Sequence, residues 1–285
     1  MNVMTFRPAL AALLVLTSLA ASAAEVTPAA TGQNVQASTG KMAEDYLVAH
    51  PGKLGEAISA YLVEHPEFLV AASENLHQRQ QAAQMQAMVK LALEHQDALL
   101  NADSPSVGPK SARAAVVMFF DYQCVYCSKV APVVSSLMKA NPDVRFVFKE
   151  FPIFAQRWPV SGQAARTGLK VWEEKGAEAY ITYHNALYAT GHMEGQLTAE
   201  DVHKAAAPYL SAATLKALDT RVDNSPEETV LADVRHLAGQ MHFTGTPAFV
   251  IMPQADSPAA AKVTVLPGAT TQETLQGAIT KAKGQ

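Results

Sequence analysis

Hydrophobic and polar positions alternate with different periods along this chain, and the changes of period divide it. From Met42 to about Asn101 the spacing is helical. Tyr46-Leu-Val-Ala-His-Pro is echoed by Tyr61-Leu-Val-Glu-His-Pro. The residue before a proline disfavours helix, so each copy reads as a helix end, giving helices over Met42–His50 and Leu54–His65. Pro66 to Asn101 has no internal proline or glycine and reads as one long helix with a seam at Leu69, Ala72, Leu76, Ala83, Met85, Met88, Ala92 and Leu99. Asp103 to Gly108 is rich in turn formers and reads as a hinge. The apolar run Ala115–Phe120 is too short for a buried helix and fits an interior strand of a parallel sheet. Apolar residues at Val130, Val133, Val134, Leu137 and Met138 then return to helical spacing, with Pro132 predicting a kink or break.

The remainder continues in the same way. Asn141-Pro-Asp143 is a turn, Val144–Lys149 alternates as a strand, and Phe151-Pro152 ends it. Helices are predicted over Ser161–Lys175, Ala177–Ala189, Thr198–Ala207, Ala212–Asp223 and Pro226–Gln240. Thr198-Ala-Glu-Asp201 and Ser225-Pro-Glu-Glu228 supply start signals for the fourth block's neighbours on either side. Trp158 and Trp172 read as core packing. Gly245-Thr-Pro feeds an apolar strand to Met252. Lys262–Leu266 is a last strand, Pro267-Gly268 its turn, and Thr271–Lys283 a closing helix.

Composition narrows the class. Of 285 residues 49% are hydrophobic, enough for a sizeable core and one or two domains. Residues 1–24 have the form of a secretory signal: Arg7, the short apolar stretch Pro8–Ala20, and a cleavage site at Ala21-Ser22-Ala23. That stretch is too short to span a bilayer. Its removal takes away one arginine and no acid, moving the net charge from −4 to −5. A mildly acidic protein has no electrostatic footprint for nucleic acid or anionic lipid. Residues 25–40, small and polar, are expected to be a flexible leader.

Cys124 and Cys127 are the chain's only cysteines, and they stand where the strand hands over to the helix. A helix start offers unpaired N–H groups and a partial positive charge, which stabilise the reactive thiolate. A second thiol one turn on can attack a mixed disulfide formed by the first. A structural zinc site would need His236 and His242, which no spacing orders as a pair. A purely structural disulfide would close too small a loop to stabilise much. A copper reading of His77, Met85, Met88 and His95 competes with the commoner role of methionine as helix packing. Exported cysteines of this kind belong in an oxidising compartment.

The motifs FFDYQCVYC at 119–127, KEFPIF at 149–154 and GTPAFVI at 245–251 resemble, in order, those of the DsbA-like thiol–disulfide oxidoreductases of the thioredoxin superfamily. The likeness runs from Ser104 to the C-terminus and is nearest to oligomeric members with an N-terminal helical extension, the suppressor-of-copper-sensitivity C group. It implies an α/β protein: a thioredoxin fold over 104–285 with a helical insertion at about 155–242, preceded by an all-α oligomerisation stalk at 41–103. It implies that Cys124 attacks, that Cys127 resolves, and that Pro247 is a cis-proline facing them. Thr246 would then pair with an extended substrate. Many members bury an acid six residues before the first cysteine; here Met118 stands there, leaving Asp121, Lys149 and Glu150 as neighbouring candidates. Between the cysteines Val125-Tyr126 replaces the Pro-His of the strongly oxidising members, so a less oxidising, isomerase-type couple is expected. The reading is a periplasmic disulfide isomerase or reductase of exported proteins, with no cofactor and no metal, served by a membrane redox partner. It would be a homo-oligomer, a dimer in preference to a trimer because two-fold closure is commonest. A DsbA-type dithiol oxidase is the alternative enzyme, and a metal-handling or chaperone-like scaffold the alternative without catalysis.

Overall fold

The computed structural model describes residues 31–101 and 103–285, with side chains from 39 onward. The predicted signal segment 1–24 and leader positions 25–30 lie outside the described residues. The chain forms two compact units dividing between Ser73 and Glu74.

The first unit holds helix α1 (Thr31–Ala49), helix α2 (Pro51–Glu64) and the first turns of helix α3 (Glu67–Glu94). Residues 31–40, expected as leader, are the start of α1; no proline interrupts the chain between Thr31 and Ala49, so the helix extends backward without a breaker. The sequence echo is also a structural one. His50 and His65 cap their helices with matching dihedrals, φ −129°, ψ 63° and φ −128°, ψ 63°. Each ring lies 4.3 Å from the tyrosine four residues earlier. Leu54, Ile58, Tyr61, Phe68 and Leu69 are exposed, and α2 buries none of its residues.

The second unit is built on a five-stranded sheet in the order β1 (Ser106–Val107), β3 (Arg145–Glu150), β2 (Ala114–Phe120), β4 (Ala248–Pro253), β5 (Thr264–Leu266). All seven residues of β2 are buried, as an interior strand requires. The sheet is mixed rather than parallel: β2 runs parallel to β3 and antiparallel to β4. The supposed hinge at 103–108 contributes β1, which pairs antiparallel with β3. The last strand is shorter than expected because a 3-10 turn takes Ala260–Lys262.

Side chains alternate across the sheet. Val116, Met118, Phe120, Phe146, Phe148, Phe249 and Ile251 join one core with helices α5 (Val125–Ala140), α6 (Val160–Ala189), α7 (Ala199–Ala206), α8 (Ala212–Leu218) and α10 (Gln272–Lys283). Val117, Phe119, Val147, Ala248, Val250 and Met252 join the other with α9 (Pro226–Gln240), Met88 and Ala92 of α3, and Leu99 of α4 (Gln96–Leu99). The second half of α3 is therefore part of the core around the sheet. The predicted boundary at 103/104 moves to 73/74 for that reason.

Helix α5 runs through Pro132 as one element, so the expected break does not occur. The predicted pair Ser161–Lys175 and Ala177–Ala189 is one helix α6 interrupted at Gly176, whose φ of 75° belongs to the left-handed region that glycine tolerates. Thr198 and Asp201 close a reciprocal capping box on α7, and Ser225 caps α9 ahead of Pro226. Trp172 packs partly buried against Tyr180, as core. Trp158 is not core: it lies under Arg157 and over Gly195, where a Cβ would come within 2.7 Å of its Nε1.

Candidate active site

Cys124 is the N-cap of α5. Its backbone is extended (φ −82°, ψ 115°), and its sulfur accepts from the Cys127 N–H at 3.4 Å. The turn that delivers it is tied from several sides. The buried Asp121 carboxylate accepts from the N–H of Gln123 (2.8 Å), the N–H of Phe154 (2.9 Å) and the Ser161 hydroxyl (2.9 Å). Burial raises its pKa, and these hydrogen bonds oppose the rise. The Asp121 carbonyl accepts from Cys124 N–H at 3.0 Å and from the Tyr188 hydroxyl at 3.0 Å.

Thr246 and Pro247, more than a hundred residues further on, close the other side. The Thr246–Pro247 peptide is cis. The Cys124 thiol donates to the Thr246 carbonyl at 3.2 Å. Thr246 Oγ1 is buried without a hydrogen-bond partner. Cys124 and Cys127 are free thiols, both buried: Cys124 is 4% exposed and Cys127 0%.

The two sulfurs are held apart in chemistry. The hydrogen bond from Cys127 does most to lower the Cys124 thiol, to about 6, against the opposing effect of burial; Thr246 and backbone N–H groups add to the lowering. Burial, then the neighbouring Cys124, pushes Cys127 well above its ordinary value. Val125 packs partly against the core. Tyr126 is 57% exposed, with Lys129 Nζ 5.4 Å from its ring centroid. The structure thus brings all six predicted site residues to one place.

The candidates for the acid absent at Met118 separate. Met118 is core. Lys149 points to the opposite sheet face, donating to Ala98 O and Ser104 Oγ, both at 2.7 Å. Glu150 is fully enclosed and accepts at Oε1 from the hydroxyls of Tyr122 (3.0 Å) and Tyr180 (2.9 Å). Burial raises its pKa well above the ordinary carboxylate value, and the hydrogen bonds from Tyr180 and Tyr122 oppose the rise. Gly168 makes room for it: a Cβ there would lie 2.8 Å from Glu150 Oε1.

His236 and His242 do not meet: His236 lines a cavity with Lys149, and His242 one with Thr246. Among the described residues no group of three or more histidines, cysteines or acids is placed to hold a metal ion. Sequence reasoning missed Gln123, which is 0% exposed and accepts at Oε1 from Gly195 N–H (2.8 Å) while its carbonyl takes Glu194 N–H (3.0 Å). Its place beside Cys124 was the one available signal. Met88, which the sequence placed in the seam of the long helix, and Gln84, which carried no signal, share a cavity with Thr246.

Comparison with known proteins agrees with this arrangement. The family model "Thioredoxin" matches residues 100–254, and "Copper resistance protein ScsC N-terminal domain" matches residues 53–83. No curated protein matches. Among solved structures, Salmonella enterica Typhimurium BcfH is 57% identical over 85% of this chain and 100% of its own, with TM-score 0.76. A thioredoxin-like oxidoreductase from Silicibacter pomeroyi DSS-3 is 31% identical over 66% of this chain and 98% of its own, TM-score 0.53. The catalytic domain of Proteus mirabilis ScsC is 25% identical over 69% and 99%, TM-score 0.54. With a Cys-x-x-Cys pair at a helix start, a facing cis-proline and these relatives, the chain belongs to the thioredoxin family, among the DsbA-like and ScsC-like thiol–disulfide oxidoreductases that carry an N-terminal helical region.

Proposed function

We propose that this oxidoreductase acts in the periplasm as a disulfide isomerase and reductase of exported proteins, with Cys124 as nucleophile and Cys127 as resolving thiol. The observation that carries this reading is the contrast between the two sulfurs, one lowered to about 6 and the other raised by burial. The Cys124 thiolate attacks one sulfur of a substrate disulfide, forming a mixed disulfide and expelling a substrate thiolate that takes up a proton. Two outcomes follow. A second substrate thiolate attacks the mixed disulfide, restores the Cys124 thiolate and leaves a rearranged substrate with no net redox change. Alternatively, Cys127 gives up its proton and attacks the Cys124 sulfur, expelling the remaining substrate thiolate; the substrate is reduced by two electrons and the protein oxidised by two. A buried Cys127 with a raised pKa makes the second route slow, which lengthens the life of the mixed disulfide and supports isomerisation.

A nucleophile near 6 also lies between the thioredoxin thiol at about 7 and the strongly oxidising DsbA thiol at about 3.5. That supports a couple less oxidising than DsbA, and weighs against the dithiol-oxidase alternative. A membrane reductant would return the oxidised pair to the dithiol, and residues 1–24 would direct export. The exposed Leu54, Ile58, Phe68 and Leu69 support a homo-oligomer. An oligomer presents several thiolates to one misfolded client at raised local concentration.

Refolding of a scrambled multi-disulfide protein is the test. The dithiol protein should restore native pairing catalytically, and Cys124→Ser should not. Catalysed oxidation of a reduced peptide, without rescue of the scrambled protein, would assign the oxidase instead. Light scattering that finds the full chain monomeric would remove the oligomer.

A further inference from the structure

The peptide plane between Gln123 and Cys124 is held at both of its ends. On one side the Cys124 N–H donates to the Asp121 carbonyl at 3.0 Å; on the other the Gln123 carbonyl accepts from Glu194 N–H at 3.0 Å. Because a peptide unit is rigid, pinning both groups fixes the direction in which the chain enters Cys124. The Gln123 side chain repeats the second tie, its Oε1 accepting from Gly195 N–H at 2.8 Å. Glu194 and Gly195 belong to the loop between α6 and α7, and both have left-handed backbone, φ 52° and 96°. Two successive N–H groups of that loop thus converge on one residue. Met193 and Leu197 anchor the loop in the core that also contains Cys124 and Cys127. Gly195 packs against the Trp158 ring, where a Cβ would come within 2.7 Å of Nε1. Gln123 Nε2 is buried without a partner, a cost that an apolar side chain would avoid. What the amide contributes is the hold of its oxygen.

We infer that Gln123 is a positioning residue for the nucleophile: it ties the α6–α7 loop to the peptide plane ahead of Cys124 and so keeps the sulfur on the Cys127 N–H. The inference rests on the oxidoreductase reading of Cys124 and adds a second support for the reacting sulfur, supplied by the helical insertion. The physical route is short. Cys124 enters α5 with extended backbone, φ −82°, and its sulfur receives the Cys127 N–H at 3.4 Å. A small rotation of the preceding plane lengthens a contact that already stands at that distance. The thiolate then loses the helix-start N–H groups that favour it. Trp158 acts one step further back, since its ring limits how far Gly195 can move.

The measurement uses full-length dithiol protein, with the Cys124 thiolate titrated by its absorbance at 240 nm. Gln123→Met keeps the length of the side chain and removes the oxygen. Its midpoint should rise by about one pH unit from the natural value of about 6. Exchange with glutathione at pH 7 should shift about fivefold toward the protein disulfide, because less thiolate stabilises the dithiol form. Trp158→Leu, at a partly exposed site, should raise the midpoint in the same direction. In the Gln123→Met background it should add nothing, because both residues act through one tie. Neither substitution removes a titratable group bonded to the turn: Cys127, Asp121, Tyr188 and Glu194 remain. An unchanged midpoint in Gln123→Met, whatever its urea stability, would reduce Gln123 to scaffold and overturn the inference while leaving thiol exchange intact. Equal shifts from Trp158→Leu in both backgrounds would overturn it too, routing the effect through Phe154 and Asp121 instead. If Gln123→Met does not fold, Trp158→Leu alone decides, and an unchanged midpoint overturns the inference. Natural protein that titrates at Cys124 yet exchanges with no disulfide would overturn the oxidoreductase reading and this inference with it.

Discussion

At the scale of single residues, the reaction depends on one ionisation. The Cys124 pKa in the fold is about 6, below the ordinary 9.0. The group is depressed, so the stabilisation it brings to the dithiol form is complete above pH 9 and is lost as pH falls through 6. Alkylation of the dithiol protein with iodoacetamide should therefore rise with a midpoint near pH 6 and label Cys124 alone; labelling of Cys127, or a midpoint near 9, would contradict the geometry described. Glu150 is a second case in which one neighbour decides. It sits under two tyrosine hydroxyls in a space that Gly168 leaves open by having no side chain. Gly168→Ala forces a methyl group against Glu150, Tyr183 and Tyr122 and should cost roughly 1–3 kcal/mol in urea unfolding, the range of overpacked cores. A loss below 0.5 kcal/mol would show that the cluster yields easily. Cys-x-x-Cys announced its chemistry in the sequence. The raised pKa of Glu150 could not be read there, because it comes from burial by residues far from it in the sequence.

Among the elements, β3 shows how strand alternation separates two environments. Phe146, Phe148 and Glu150 enter the core under α5 and α6, whereas Val147 and Lys149 face α4 and α9. Lys149 is 2% exposed, and burial, aided by Arg145 and opposed by Asp103, lowers its pKa to about 8 from 10.5. Here the depressed group is a base. Between pH 8 and 10.5 the unfolded chain holds the proton that the native chain has released, so stability rises with pH across that window. Wild type minus Lys149→Met should show this rise in denaturant midpoints, and a flat difference would mean that the ammonium is satisfied by Ala98 O and Ser104 Oγ alone. The ends of elements were mostly legible. The Thr198 capping box, Ser225-Pro226 and Gly176 all lie where local chemistry puts them. The exceptions are Pro132, which α5 accommodates, and Ser106-Val107, which becomes a strand because β3 offers it an edge.

For the whole molecule, the main consequence concerns where the chain can be cut. The sequence reading made residues 41–103 dispensable to the catalytic domain, yet Met88, Ala92 and Leu99 are buried against the sheet. A chain beginning at Glu74 should fold and keep the Cys124 thiolate. One beginning at Ser104 exposes the sheet face under α3 and α4 and should be molten or insoluble. A cooperative unfolding transition in the shorter chain, by calorimetry, would refute this. The sequence by itself determined the strand–Cys-x-x-Cys–helix order, the family, and most helix starts, because each depends on residues within one turn of one another. The tertiary structure alone decided the hydrogen bond from Cys124 to the Thr246 carbonyl, the enclosure of Glu150, the mixed sheet and the place of α3. In α3 the apolar residues are small, Met-containing and spread around the helix. Which of them is buried depends on the sheet face they meet, and that face is assembled from strands that begin more than ten residues later and end near residue 266.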